Sequence, residues 1–176
     1  MSVTDFNNKV AAITGAGSGM GQSLAVLLAR AGCHVAISDL NADGLEETRA
    51  LLDPAVNVSV HVVDVANREQ VEAFAASANT EHSKINMIFN NAGVSVTGLA
   101  EQMPYEDIEW LMSINFWGVV YGCKSFLPYL READEAAIIN TSSIFGTIAV
   151  PSQSAYNASK FAVKGYTYAL RQELID

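Results

Sequence analysis

Cysteine is nearly absent from this chain of 176 residues, in which only Cys33 and Cys123 occur. Two cysteines cannot build a disulfide framework. Each falls inside an apolar predicted element, so both read as small buried hydrophobes. Basic side chains are scarce as well. Ten Lys and Arg stand against nineteen Asp and Glu, a formal net charge of −9, which argues against a nucleic-acid surface. No basic run exists to attract an anionic membrane. The three histidines, at 34, 61 and 82, lack the spacing of metal ligands, so no structural metal is expected. No apolar run reaches the ~18 residues that a membrane span requires. No signal-peptide pattern, internal repeat, low-complexity tract or linker is visible, and a cytoplasmic location is the default expectation.

What the chain does have is apolar content. Half of its residues are hydrophobic, enough for the core of a single domain. Short apolar runs predict strands near 9–14, 33–38, 58–63, 85–90 and 136–141. Segments rich in helix formers predict helices near 20–31, 41–52, 67–80, 105–130 and 153–175. This alternation argues for a parallel sheet covered on both faces, a three-layer α/β/α arrangement. Right-handed crossovers make it doubly wound, with a ligand crevice at the carboxyl ends of the strands.

The first of those ends carries a glycine-rich turn, Gly15-Ala16-Gly17-Ser18-Gly19-Met20-Gly21, between a strand and a helix. Glycine permits positive φ and close approach of the backbone to a ligand. A helix N-terminus offers free N–H groups and partial positive charge to a pyrophosphate. Asp39 ends the second predicted strand, 18 residues after Gly21. A carboxylate there accepts hydrogen bonds from adenosine ribose hydroxyls and repels a 2′-phosphate. Neither Ser18 nor the following Leu40 and Asn41 is basic, which favours NAD over NADP. Asp39 also reads as an N-cap for the helix at 41–52, and Asp64 or Asn67 reads as a cap for the next one.

Chemistry gathers in the C-terminal third. Tyr156 and Lys160 are four residues apart on a predicted helix, and so share one face. A free phenol titrates near ~10. An adjacent ammonium favours the phenolate and brings the group nearer to proton transfer at neutral pH. Ser143 lies thirteen residues before Tyr156, with Ser142 as its rival, since one residue along a strand changes the face. The helix at 105–130 opens with Pro104, Glu106 and Asp107, a sound N-terminal signature. Its interior holds Asn115, a mildly unfavourable residue there.

The pattern T-G-x-x-x-G-x-G at residues 14–21, Asn90-Asn91-Ala92-Gly93, Asn115 before Gly118, Ser142-Ser143 before Gly146, and Tyr156-x-x-x-Lys160 together resemble the classical short-chain dehydrogenase/reductase family. The resemblance covers the whole chain and implies a Rossmann-type domain. It implies NAD(H) as cofactor, held by Gly15, Ser18, Gly19, Met20, Gly21, Asp39, Leu40, Asp64, Val65, Asn91, Ala92 and Gly93, with Tyr156 and Lys160 at the nicotinamide ribose. It implies hydride transfer with a secondary alcohol or ketone. Tyr156 would move the proton, Lys160 would support it, Ser143 would polarise the substrate oxygen beside Tyr156, and Asn115 would order a relay water. It also implies a homodimer through the helices at 105–130 and 153–175.

Family members usually run to roughly 250 residues. The expectation is therefore a domain over 1–176 without the sixth strand, the substrate-covering segment and the last strand, leaving the fifth strand as an unpaired edge. An NAD-binding fragment or pseudo-enzyme without turnover is the alternative to an oxidoreductase.

Overall fold

The computed structural model describes residues 5–174. Five strands, β1 (Val10–Thr14), β2 (His34–Asp39), β3 (Val58–Val62), β4 (Met87–Asn90) and β5 (Ala137–Asn140), form one parallel sheet in the order β3-β2-β1-β4-β5. The connections carry the helices α1 (Gly19–Arg30), α2 (Ala42–Ala50), α3 (Arg68–His82), α4 (Tyr105–Met112) and α5 (Gly118–Glu132), and α6 (Ser154–Glu173) follows β5. The strand order reverses at β1, which has β2 on one side and β4 on the other. That reversal opens a crevice at the carboxyl ends of β1 and β4.

The sheet is buried on both faces because its central strands are apolar at nearly every position. Alternate residues serve opposite layers. Val10, Ala12, Ala36 and Ile88 pack with Phe74 of α3 and Phe126 of α5. Ala11, Ile13, Val35, Ile37 and Met87 pack with Ala25 and Leu28 of α1 and Leu45 of α2. The Phe74 and Phe126 rings meet edge to face, 5.2 Å between centroids. Each such fully buried large side chain contributes roughly 1.5–3 kcal/mol. Cys33 is buried in the second of these layers and Cys123 in a third cluster with Val119 and Val163, and both are unbridged. Burial pushes their thiols up to about 12 and about 11.

Strand and helix bounds agree with the sequence-based expectation to within two residues, apart from one helix. The end of the last helix, expected at 175, lies outside the described residues. The segment expected as a single helix over 105–130 contains a π-helical stretch, Ser113–Trp117, between α4 and α5. The wide turn surrounds Asn115, whose buried amide is bonded outside the helix, and such turns recur at functional sites. Pro104 is the N-cap of α4 rather than its first residue.

Among the described residues β5 is the last strand on its side of the sheet, and all four of its residues are partly exposed. A groove of about 630 Å³ follows this edge, lined by Leu127 and Leu130 of α5, Ile138 of β5 and Leu170 of α6. Among the described residues no helix is long and apolar enough to cross a membrane.

Candidate active site

The glycine turn forms because two of its glycines take the left-handed conformation, Gly15 at φ +68° and Gly19 at φ +55°, where a side chain would be strained. Gly21 has a different duty. A Cβ there would collide with the Gly15 carbonyl oxygen and sit 2.7 Å from Asn91 Nδ2. It lets α1 start directly against the turn. Ser18 stands at the N-cap of α1 without a side-chain capping bond, and the first turn holds no acidic residue. The N–H groups there are therefore free of a competing carboxylate, the setting an anion needs.

A cleft of about 470 Å³ opens over this turn. Gly15, Ser18, Gly19 and Met20 line its floor, Asp39 and Leu40 one end, Asp64 and Val65 the side, and Asn91, Ala92 and Gly93 the far wall. Eleven of the residues expected to hold the cofactor thus meet in one cleft. Trp110 and Ile114, from α4 and the wide turn, also line it. Their contribution was not legible in the sequence, because it depends on the wide turn docking against Val94, beyond β4.

Asp39 is the hinge of this arrangement. Its carboxylate accepts from the Gly17 N–H at 2.9 Å and from the Asn41 N–H at 3.0 Å, one bond on each oxygen, so lone pairs remain for a diol. The cap of α2 is Asn41, which accepts from Gly44 N–H at 3.1 Å. Asn67 likewise caps α3, accepting from Gln70 N–H, while Asp64 accepts from Ala66 N–H. The far wall is tied to β1: Asn91 Nδ2 donates to the carbonyls of Thr14 and Gly15 at 3.1 and 3.3 Å. The Asn91 and Ala92 N–H groups donate to Thr14 Oγ1. Thr14 and Thr48, whose hydroxyl lies 2.8 Å from the Ala16 carbonyl, support the turn from below. Both look like ordinary strand and helix residues in the sequence.

The second cluster lies where β4, β5 and α6 meet. Lys160 is only 4% exposed. Its Nζ donates to the Thr141 carbonyl at 3.0 Å and sits 5.6 Å from the centroid of the half-buried Tyr156 ring. Burial lowers the Lys160 ammonium below its ordinary value, since it disfavours the charged form. Asn115 is fully buried. Its Oδ1 accepts from Val94 N–H at 2.8 Å, and its Nδ2 donates to the Val94 carbonyl at 2.8 Å and to Ser159 Oγ at 3.2 Å. Ser142 and Ser143 divide their roles clearly. Ser142 donates to the Lys160 carbonyl at 3.1 Å. Ser143 instead accepts from Phe145 N–H at 3.2 Å, capping the short 3₁₀ turn Ile144–Gly146, and keeps its own hydrogen free.

Two of the three histidines come together at the opposite edge of the sheet. Ser59 Oγ lies 2.9 Å from Nε2 of both His61 and His82, and burial lowers both imidazoles against the pull of Glu81. Among the described residues, no group of three or more His, Cys, Asp or Glu is placed to hold a metal ion.

A glycine turn feeding such a crevice on a doubly wound sheet is the arrangement of dinucleotide-binding folds. The chain belongs to the short chain dehydrogenase family, whose profile matches residues 9–176. A protein of Mycobacterium tuberculosis named as an oxidoreductase, SadH, is 44% identical over 174 residues, 98% of this chain and 63% of its own length. The 3-ketodihydrosphingosine reductase of Bacteroides thetaiotaomicron is 38% identical over 92% of this chain and 57% of its own length. A short chain dehydrogenase/reductase from Burkholderia phymatum, crystallised with NAD, superposes with a TM-score of 0.94 at 36% identity, covering 98% of this chain and 62% of that one. The chain therefore spans about 63% of the length of the relative with 44% identity.

Proposed function

We propose that this chain carries the cofactor-binding and proton-transfer groups of an NAD-dependent oxidoreductase that interconverts a secondary alcohol and a ketone. One observation supports the reading above the others. Gly93 lines the cofactor cleft, and a Cβ built on it would lie 3.2 Å from Asn115 Oδ1 and 3.6 Å from Lys160 Nζ. The proton-handling groups thus adjoin the wall of the cofactor cleft.

The residues present fit the dinucleotide. Gly15, Ser18, Gly19 and Met20 would hold the pyrophosphate, Asp39 and Leu40 the adenosine ribose, Asp64 and Val65 the adenine, and Asn91, Ala92 and Gly93 the second ribose. Asp39 has no basic neighbour to receive a 2′-phosphate, which supports NAD over NADP. When bound, the nicotinamide supplies or accepts the hydride. Tyr156 accepts the hydroxyl proton in oxidation and returns it in reduction. Lys160 provides the positive charge beside the phenol and would hydrogen-bond the ribose of a bound cofactor. Ser143 donates its free hydrogen to the substrate oxygen. Asn115 retains one Oδ1 lone pair for the relay water.

The segments 85–100 and 136–159 contain no Asp, Glu, Lys or Arg, which supports a neutral substrate at the reacting carbon. The relatives named for reduction of a keto group and of levodione agree with a ketone. We further infer a cytoplasmic homodimer through the helices at 105–130 and 153–175, where Trp117, Phe161 and Tyr168 remain about half exposed. A second reading is a nucleotide-binding domain without turnover. Oxidation of a panel of secondary alcohols with NAD⁺, followed by NADH fluorescence, separates the two. Turnover supports the oxidoreductase; cofactor binding with no turnover on any alcohol supports the second reading.

A further inference from the structure

The residue after Tyr156 is the most heavily committed side chain near the site that the reaction scheme leaves unused. Asn157 is 7% exposed and lies in the first turn of α6. Its Nδ2 donates to the Phe145 and Ile148 carbonyls, both at 2.7 Å, and its Oδ1 accepts from Val150 N–H at 3.1 Å. An amide has two donor hydrogens and one acceptor oxygen, and here both donors and the oxygen are spent on one segment. The orientation follows from the partners: a flipped amide would set its oxygen against two carbonyls.

At its start that segment is held by Ser142 Oγ on the Lys160 carbonyl and by buried Gly146 against the same carbonyl; beyond Gly146 it has fewer anchors. Beyond Thr141, whose N–H still donates to the Asn90 carbonyl, the backbone bonds before α6 are local: from Gly146 to Ser143, from Thr147 and Ile148 to Ile144, and from Gln153 to Val150. Thr147, Ile148 and Ala149 are exposed. Lys164 Nζ reaches Thr147 Oγ1 at 3.2 Å from the surface. At the far end, Gly98 N–H donates to the Ser152 carbonyl at 3.0 Å. Asn157 supplies the buried attachment of the middle.

Phe145 joins this attachment to the reacting groups. Its N–H is bonded to Ser143 Oγ, its carbonyl to Asn157, and its ring meets the Tyr156 ring edge to face at 5.9 Å and 82°. We propose that Asn157 is a positioning residue that sets the spacing of the Ser143 hydroxyl and the Tyr156 phenol by holding Phe145. This rests on the oxidoreductase reading above. A misplacement of about 1 Å costs on the order of 100-fold in rate, so the arrangement is worth such a tether.

Three variants of the full chain test it, each by steady-state kinetics, NADH titration and hydrogen exchange. Asn157→Ala should lower kcat/KM roughly 10–100-fold, leave NADH affinity unchanged, and lose protection at the Val150 amide. Asn157→Asp should be worse than alanine at neutral pH, because its carboxylate faces two carbonyl oxygens, and should recover as acid protonates it. A side chain that merely fills space predicts the opposite order and no recovery. Asn157→Ser, which keeps one hydroxyl donor, should fall between wild type and alanine, and stands in if alanine does not fold. Kinetics within twofold of wild type together with unchanged Val150 protection would overturn the proposal. A wild-type chain without turnover refutes the oxidoreductase reading alone; Val150 protection then still decides whether Asn157 holds the segment.

Discussion

The two halves of the site are ordered by different means. Around β1, β2 and α1 the cofactor cleft is built from backbone, and its supports are short: Asp39 holds Gly17, Asn91 holds Thr14 and Gly15, and Thr48 reaches Ala16. Around β5 and α6 the groups proposed to react sit beside β5 and on a segment without ladder partners, held by Asn157, Asn115 and Lys160. On the proposed function, the contrast teaches that binding and chemistry have separate structural foundations. The first depends on glycines that admit close backbone contact, the second on a few buried amides and one buried cation. Damage to one half should be readable apart from damage to the other.

The largest separation is expected from Tyr156→Phe. Loss of the phenolic proton should reduce turnover by about 100-fold or more, while NADH affinity stays near wild type, as measured by fluorescence titration of the same preparations. Near-normal turnover would remove Tyr156 from the proton-transfer role.

The converse damage is expected from Gly21→Ala. Its Cβ would collide with the Gly15 carbonyl oxygen, backbone that cannot swing aside, so a loss of roughly 1–3 kcal/mol and weakened NADH binding are expected. Gly165, in α6, has nothing within 4 Å of the corresponding position. Gly165→Ala should leave stability unchanged or raise it by about 0.5–1 kcal/mol. Urea denaturation of the two variants gives the comparison directly, and equal midpoints would dissolve the distinction between the halves.

Much of the first half was legible in the sequence because its signals are local. A glycine at positive φ, an acid at a strand end and an Asn-Asn-Ala-Gly turn each act within a few residues. The Tyr156–Lys160 spacing is local for the same reason. The supports of the second half were not legible. Asn115 reads as a weak helix residue until Val94 is seen beside it, and nothing in the residues 113–117 announces a π-helical turn. Asn157 looks like filler between Tyr156 and Lys160, because its three partners lie seven to twelve residues upstream. The gathering of His61 and His82 at Ser59 was hidden likewise, since it arises only when α3 packs against β3. Gly21 shows a subtler limit. Its place in the glycine pattern suggested a cofactor contact, and the structure adds a packing duty, since a Cβ there would meet the Gly15 carbonyl oxygen.

The smallest expected effect concerns the thiols, one in each half. Burial holds Cys33 at about 12 and Cys123 at about 11, so both stay protonated at pH 8 and should resist a thiol reagent until the chain unfolds. Because the fold disfavours the thiolates, the folded state binds more protons than the unfolded one above the ordinary value of 9.0. Their contribution to stability is therefore fully present below that pH and is lost as pH rises from there towards about 12. If the β5 side is the looser half, Cys123 should be labelled before Cys33 in mild denaturant, as peptide mapping would reveal. Simultaneous labelling would mean that the halves open together.

The most direct test is a paired titration of the unmodified chain with NADH and with NADPH, followed by nicotinamide fluorescence. A cofactor half built around Asp39 predicts saturable NADH binding and NADPH binding at least about tenfold weaker, a difference of roughly 1.4 kcal/mol. Equal affinity for the two, or no binding of either, would contradict the account.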